Sequence, residues 1–178
     1  MHESKHNNTG FTILELMITL AVAAILLSLA APSFTSIIKN NRLITEINSL
    51  SASLNLARSE AIKRSLTVTV CKSDDQDSTP SCSGNWHDGW IVFEDINDTG
   101  TFESGDTLIR VRPALTAGTT LVFPGKNRVT YKADGFSVGF NSTFKLCDDR
   151  GTSSAKGLVV SNTGRVRTAT SSELTSCS

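Results

Sequence analysis

Gly10-Phe11-Thr12-Ile13-Leu14-Glu15 decides how the rest of the chain is read, because it sets a single carboxylate at the start of an otherwise uncharged apolar run. Glu15 is the only charged residue between positions 11 and 31. At about 1.5 Å per residue this run makes a helix of roughly 31 Å, the hydrocarbon thickness of a bilayer. A carboxylate at the bilayer centre costs about 2.5–3.5 kcal/mol, and less near the interface, so Glu15 asks for a partner. A newly made α-amino group is the obvious one.

These residues resemble the type III signal of type IV pilins and pseudopilins. The resemblance implies a polar leader over residues 1–10, removed by a prepilin peptidase after Gly10. Phe11 then becomes the methylated N-terminus, and Glu15, fifth in the mature chain, offsets the N-terminal amine of a neighbouring subunit during filament docking. Pro32 sits where many pilins carry a helix-disturbing proline, whose missing N–H and ring clash bend a helix. Two plainer readings compete. An ordinary secretory signal uses residues 16–29 as its apolar core and is cut after Ala30, and a simple membrane anchor needs no processing. Against the first, the sequence beyond Pro32 continues as an amphipathic helix.

Leu43, Ile47, Leu50, Leu54, Ala57 and Ala61 step by three and four residues, a seam along one helix face that predicts packing on the domain's own sheet. One long helix, bent near Pro32, is therefore expected to end around Arg64. From Ser65 the period changes to two. Residues 66–70, 90–93, 107–112, 120–123, 128–132, 143–147, 158–161 and 165–169 read as strands separated by Gly, Asn, Asp and Pro. A helix followed by eight short strands is an α+β pattern. Gly89-Trp90-Ile91-Val92-Phe93-Glu94-Asp95, the turn after it and Leu108-Ile109-Arg110 resemble the GspH/FimT/FimU minor pilin group. That likeness implies a pilin-type fold, with the long helix packed on a C-terminal antiparallel β domain of the GspH type. The expected divisions are leader 1–10, transmembrane helix 11–31, periplasmic amphipathic helix 32–64 and β-rich head 65–178.

The 178 residues carry no net formal charge, but the charges are segregated. Residues 73–107 hold nine acidic side chains and no Lys or Arg, whereas residues 108–172 hold ten basic and three acidic ones. Cys71, Cys82, Cys147 and Cys177 allow three pairings, and no CxxC or Cys/His spacing suggests zinc. In an exported protein disulfides are favoured. The expected pairs are Cys71 with Cys82, closing the acidic insertion, and Cys147 with Cys177, tying the chain end to the body.

Asp95-Ile96-Asn97-Asp98-Thr99-Gly100, with Asp106 in the twelfth position, approaches a calcium-loop pattern. It departs at Thr99 and at Asp106, where a bidentate Glu is usual, and strands flank it, so an acidic hairpin turn is expected. No catalytic arrangement emerges. His2 and His6 go with the leader, His87 has no nucleophile context, and no glycine-rich phosphate loop is present. Neither enzyme activity, a cofactor, a metal nor a small-molecule substrate is expected.

The segment Leu158-Val159-Val160-Ser161-Asn162-Thr163-Gly164-Arg165-Val166-Arg167 reads as strand, turn, strand. Arg165 and Arg167 fall on one strand face, about 6.5 Å apart, a pitch that suits successive phosphates of a nucleic acid. Paired cations on a strand are also a common device for protecting a sheet edge. Gly164-Arg165-Val166-Arg167 is similar to the GRxR motif of FimT-type minor pilins, linked to DNA uptake in natural transformation. The resemblance implies DNA as a partner, bound largely without sequence preference, with Arg150 and Lys156 extending the basic surface. The alternative is a minor pilin or pseudopilin that primes or caps filament assembly without DNA. Other major and minor pilins, the prepilin peptidase and the inner membrane complete the expected partners. The expected location is a single-pass inner-membrane anchor with a periplasmic head that enters an extracellular pilus.

Overall fold

A computed structural model describes residues 11–75 and 80–177, with the side chains of residues 29–33 left aside. Gly10, and Asp77 of the acidic insertion, lie outside the described residues, as do the side chains around the expected bend at Pro32. Helix α1 runs Ile13–Arg64. Its start is set by Thr12, whose hydroxyl accepts the Glu15 N–H at 3.2 Å, the usual satisfaction of an orphan donor at a helix N-terminus. By internal contacts the chain forms two compact units, the first ending at Lys39 and the second beginning at Asn40. In the first unit the described apolar side chains are exposed. Among the described residues no helix is long and apolar enough to cross a membrane.

In the second unit the helix seam behaves as its spacing predicts. Leu43, Ile47, Leu50, Leu54, Ala57 and Ala61 are all buried. The helix ends in a Schellman arrangement: Leu66 donates to the Ala61 carbonyl at 3.2 Å and Ser65 to that of Ile62 at 3.4 Å. Ser65 takes the left-handed conformation (φ 54°) that usually falls to glycine. This extra half-turn delays the first strand to Val68, two residues later than the sequence periodicity suggests.

Eight strands follow: β1 (Val68–Lys72), β2 (Trp90–Glu94), β3 (Thr107–Arg112), β4 (Thr120–Val122), β5 (Arg128–Tyr131), β6 (Ser142–Cys147), β7 (Lys156–Val160) and β8 (Val166–Thr168). They form two antiparallel sheets, ordered β3-β2-β1-β5 and β4-β6-β7-β8. The helix seam, Val68, Val70, Trp90, Val92, Val129 and Tyr131 of the first sheet, and Leu121, Phe144, Leu146, Leu158 and Val160 of the second share one buried cluster. Burial of this kind contributes about 25 cal/mol per Å² of apolar surface and dominates the stability of the head. Trp86 stands edge-on to Phe144, with ring centroids 4.9 Å apart, and Phe123 stacks on Phe144 at 3.9 Å.

Both sheets carry a second covering on the face away from this core. On the first, Cys71, Ile91 and Phe93 are buried beneath Cys82 and Phe102. On the second, the chain after β8 returns across the strands, with Leu174 buried. A disulfide staples each covering, Cys71–Cys82 and Cys147–Cys177, the two pairs expected.

Candidate functional site

The turn joining β7 to β8 is over-determined. Gly164 donates to the Ser161 carbonyl at 2.8 Å and Ser161 to that of Arg165 at 3.0 Å. Gly164 has φ 74°, and a Cβ placed there would lie 2.0 Å from the Gly135 carbonyl oxygen, so only glycine fits. From α1, Arg58 donates to the carbonyls of Gly135 (3.1 Å) and Thr163 (3.2 Å), clamping two turns together. Ser137 and Gly139 donate to the backbone and side-chain oxygens of Asn162. The hairpin tip is a rigid platform.

The register then fixes which side chains share a face, since directly opposed residues of an antiparallel pair point the same way. Val160 opposes Val166 on the core side, and Val159 opposes Arg167 on the outer side. Arg165 and Arg167 are both exposed on that outer side. Among the described residues the Arg165 guanidinium has no hydrogen-bond or ion-pair partner.

Arg167 is in a different condition. It grips Glu173 with both prongs, Nη2 to Oε1 at 2.6 Å and Nη1 to Oε2 at 2.9 Å, and Nη1 also donates to the Thr168 carbonyl. Thr170 donates its N–H (2.8 Å) and hydroxyl (2.9 Å) to Oε2 as well. The Arg167 guanidinium and these Thr170 donors hold the Glu173 carboxyl down at about 2, and the carboxylate in turn raises the guanidinium.

The two expected extensions of the basic surface lie apart from the Arg165 and Arg167 face. Arg150 points its guanidinium into Asp148, with Nη2 to Oδ2 at 2.6 Å, and donates from Nη1 to Asn40 at 2.8 Å; its charge is spent locally on a mostly covered pair. Lys156 opposes Leu146 in the register, which places it on the core side of the sheet, the reverse of the face that bears Arg165 and Arg167. The residue that does share their face is Lys145, opposite Gly157. Its alternation with Phe144 and Leu146 carried that signal in the sequence. Glu173 was also overlooked, because the basic block was closed at Ser172; the Thr170-x-x-Glu173 capping pattern was the legible sign of it.

Elsewhere, the acidic residues serve their own turn. Buried Asp95 accepts from the Thr69 hydroxyl and from the Thr99 and Gly100 N–H groups, each at 2.9 Å. Asp106 accepts from the N–H groups of Ile96 and Glu103, and Asp98 pairs with Lys132. The segment is an acidic turn between strands, with the Asp95 and Asp106 carboxylates aimed at backbone donors. Among the described residues no three His, Cys, Asp or Glu side chains converge as a metal site. At the other end of the chain, Phe11 and Glu15 are exposed, with Glu15 in the first turn of α1.

No curated protein matches the sequence significantly. Residues 46–164 match the family described as Type II transport protein GspH, and residues 5–31 match the prokaryotic N-terminal methylation motif. The type IV minor pilin FimU of Pseudomonas aeruginosa has a similar fold in two crystal forms. In one the identity is 24% with a TM-score of 0.60, covering 79% of this chain and 98% of that one; in the other the values are 23% and 0.57, covering 76% and 100%. The minor pseudopilin EpsH from the type 2 secretion system of Vibrio cholerae is 12% identical with a TM-score of 0.51, covering 72% and 96%. These neighbours are pilins and a pseudopilin, not enzymes, and they share the α+β pilin fold. The family match takes in the helix seam from Ile47, the first sheet, and the second sheet through β7 and its turn to Gly164, and by it the chain belongs to the GspH family of minor pilin and pseudopilin subunits.

Proposed function

We propose that this subunit binds DNA through the phosphate backbone at the outer face of its second sheet, in the service of DNA uptake. The observation that carries the reading is Arg165: an exposed guanidinium without a partner among the described residues, on a turn that Gly164 and Arg58 hold rigid. A fixed guanidinium suits a phosphate oxygen pair, and such contacts set affinity with little sequence preference. Arg167 lies two residues along the same face and adds a second contact when it parts from Glu173.

The remaining roles follow from the methylation motif over residues 5–31. A prepilin peptidase cleaves after Gly10, Phe11 is N-methylated, and residues 11–31 anchor the chain in the inner membrane with the head in the periplasm. Glu15 then offsets the N-terminal amine of a neighbour as the subunit joins other major and minor pilins. Gly10→Val leaves uncleaved precursor, whereas Glu15→Val is cleaved but excluded from filaments; N-terminal sequencing that found Ala31 first would refute this route.

A second reading, priming or capping of assembly without DNA, is favoured by the local pairing of Arg150 and Arg167. The two separate in a transformable host. Replacing Arg165 and Arg167 together by Ala lowers transformation and leaves piliation intact if DNA is the partner. If transformation is unchanged, or piliation falls in parallel, assembly priming is the function.

A further inference from the structure

The chain beyond β8 folds back over the face that carries the proposed DNA contacts and touches it in sequence. Glu173 takes Arg167 in a two-pronged pair. Leu174 is buried over Gly157, where an added Cβ would lie 2.6 Å from both the Leu174 Cδ2 and the Phe144 carbonyl oxygen. Lys145 donates to the Ser176 hydroxyl at 2.7 Å, and Cys177 is bonded to Cys147. Two of the three cations on this face, Arg167 and Lys145, therefore have tail partners, and Arg165 has none among the described residues.

The chemistry of the Arg167 pair is that of the ligand proposed for it. A guanidinium presents the same parallel donors to a carboxylate as to a phosphate. The Glu173 carboxylate is placed by Thr170 as well as by Arg167, so it is presented by the tail's own fold. Both side chains remain partly exposed, 46% and 30%, and exposed ion pairs are weakly held. A polyanion can take the guanidinium from such a partner.

We propose that residues 170–177 are a built-in competitor for DNA: Glu173 occupies the Arg167 fork in place of a phosphate, and bound DNA displaces it. This rests on the DNA reading above and assigns regulation to the same site. With the tail docked, the hairpin offers one effective charge at Arg165; with the tail displaced, it offers two. The disulfide keeps the displaced segment tethered, so its return is intramolecular and fast relative to a second molecule's arrival.

Glu173→Gln tests this without dismantling the tail, because a Gln oxygen still serves the Thr170 capping pattern while the charge is gone. The full chain in detergent is titrated with a short fluorescent duplex and, separately, with inorganic polyphosphate. For the duplex, the expected result is tighter binding with a nearly unchanged log K against log salt slope, since in both complexes Arg167 neutralises a phosphate and only the wild type must first give up Glu173. A slope steeper by about 0.9 would show that DNA does not displace Glu173, and would overturn the exchange. The gain disappears in Glu173→Gln combined with Arg167→Ala, since it acts through Arg167. If Glu173→Gln binds both probes like the wild type while Arg165→Ala weakens DNA binding, the competitor is refuted and the DNA reading stands. A gain that persists without Arg167 also refutes it. If neither arginine affects DNA binding, the DNA reading fails, and polyphosphate affinity alone decides whether Glu173 blocks the fork.

Discussion

The two outer coverings of the head solve one problem with opposite electrostatics. Over the first sheet, beside the Cys71–Cys82 staple, lies the acidic turn that follows β2, where Asp95 turns inward: it is 1% exposed and its carboxylate accepts three hydrogen bonds. Over the second lies a tail stapled by Cys147–Cys177, whose carboxylate turns outward to a guanidinium on a neighbouring strand. The first closes on itself, and the second makes exchangeable pairs with a cationic face. A buried, backbone-satisfying charge belongs to the fold, because removing it strands its donors. A half-exposed pair belongs to the surface, where another anion can substitute. The lesson is that the formal charge of a segment says little about its availability.

Reducing the two staples sharpens the comparison most. The tail disulfide spans 30 residues and the acidic one 11. On the chain-entropy account, Cys147→Ser with Cys177→Ser costs about 4 kcal/mol and Cys71→Ser with Cys82→Ser about 3 kcal/mol. Denaturant titration of the two double variants measures this, and the reverse order breaks the account. Next in size is Asp95→Ala, expected to cost about 2–3 kcal/mol by leaving the Thr99 and Gly100 N–H groups without their acceptor. Glu173→Ala is expected to change stability far less. Equal losses would erase the distinction between the two carboxylates.

The smallest effect is pH-dependent. The Glu173 carboxyl is depressed to about 2 in the folded protein, so the support it lends tail docking is fully present above the ordinary Glu pKa of about 4.3 and is lost as pH falls toward 2. Carboxyl carbon-13 titration reads this directly. A Glu173 midpoint near the ordinary value would show that the Arg167 pair is not formed in solution.

The spacing of Leu43 to Ala61, the eight strand positions and the disulfide pairs were all legible, because each depends on local periodicity or on the few ways four cysteines can pair. The start of β1 was missed by two residues, since a Schellman end built on Ser65 gives no glycine signal. The surroundings of Arg150 and Lys156 were not legible for a different reason. A count of basic residues records neither a partner two positions away, as Asp148 is for Arg150, nor the sheet face, which cross-strand register assigns to Lys156. Gly164 was legible as a motif residue, but its reason, the approach of the Gly135 carbonyl, is tertiary. The pairing of Arg167 needed the path of the tail, which no pattern within the hairpin contains.

The difference between Arg165 and Arg167 is the centre of the account, and salt-dependent DNA binding of the single variants tests it most directly. With the full chain and a short duplex, Arg165→Ala is expected to reduce the magnitude of the log K against log salt slope by about 0.9, the share of one neutralised phosphate, for unrelated sequences alike. Arg167→Ala is expected to cost much less affinity than Arg165→Ala, because the phosphate contact of Arg167 is made only by giving up Glu173. Equal losses of affinity would mean that Glu173 does not hold Arg167 in solution, and an unchanged slope in Arg165→Ala would contradict the assignment of this face to DNA.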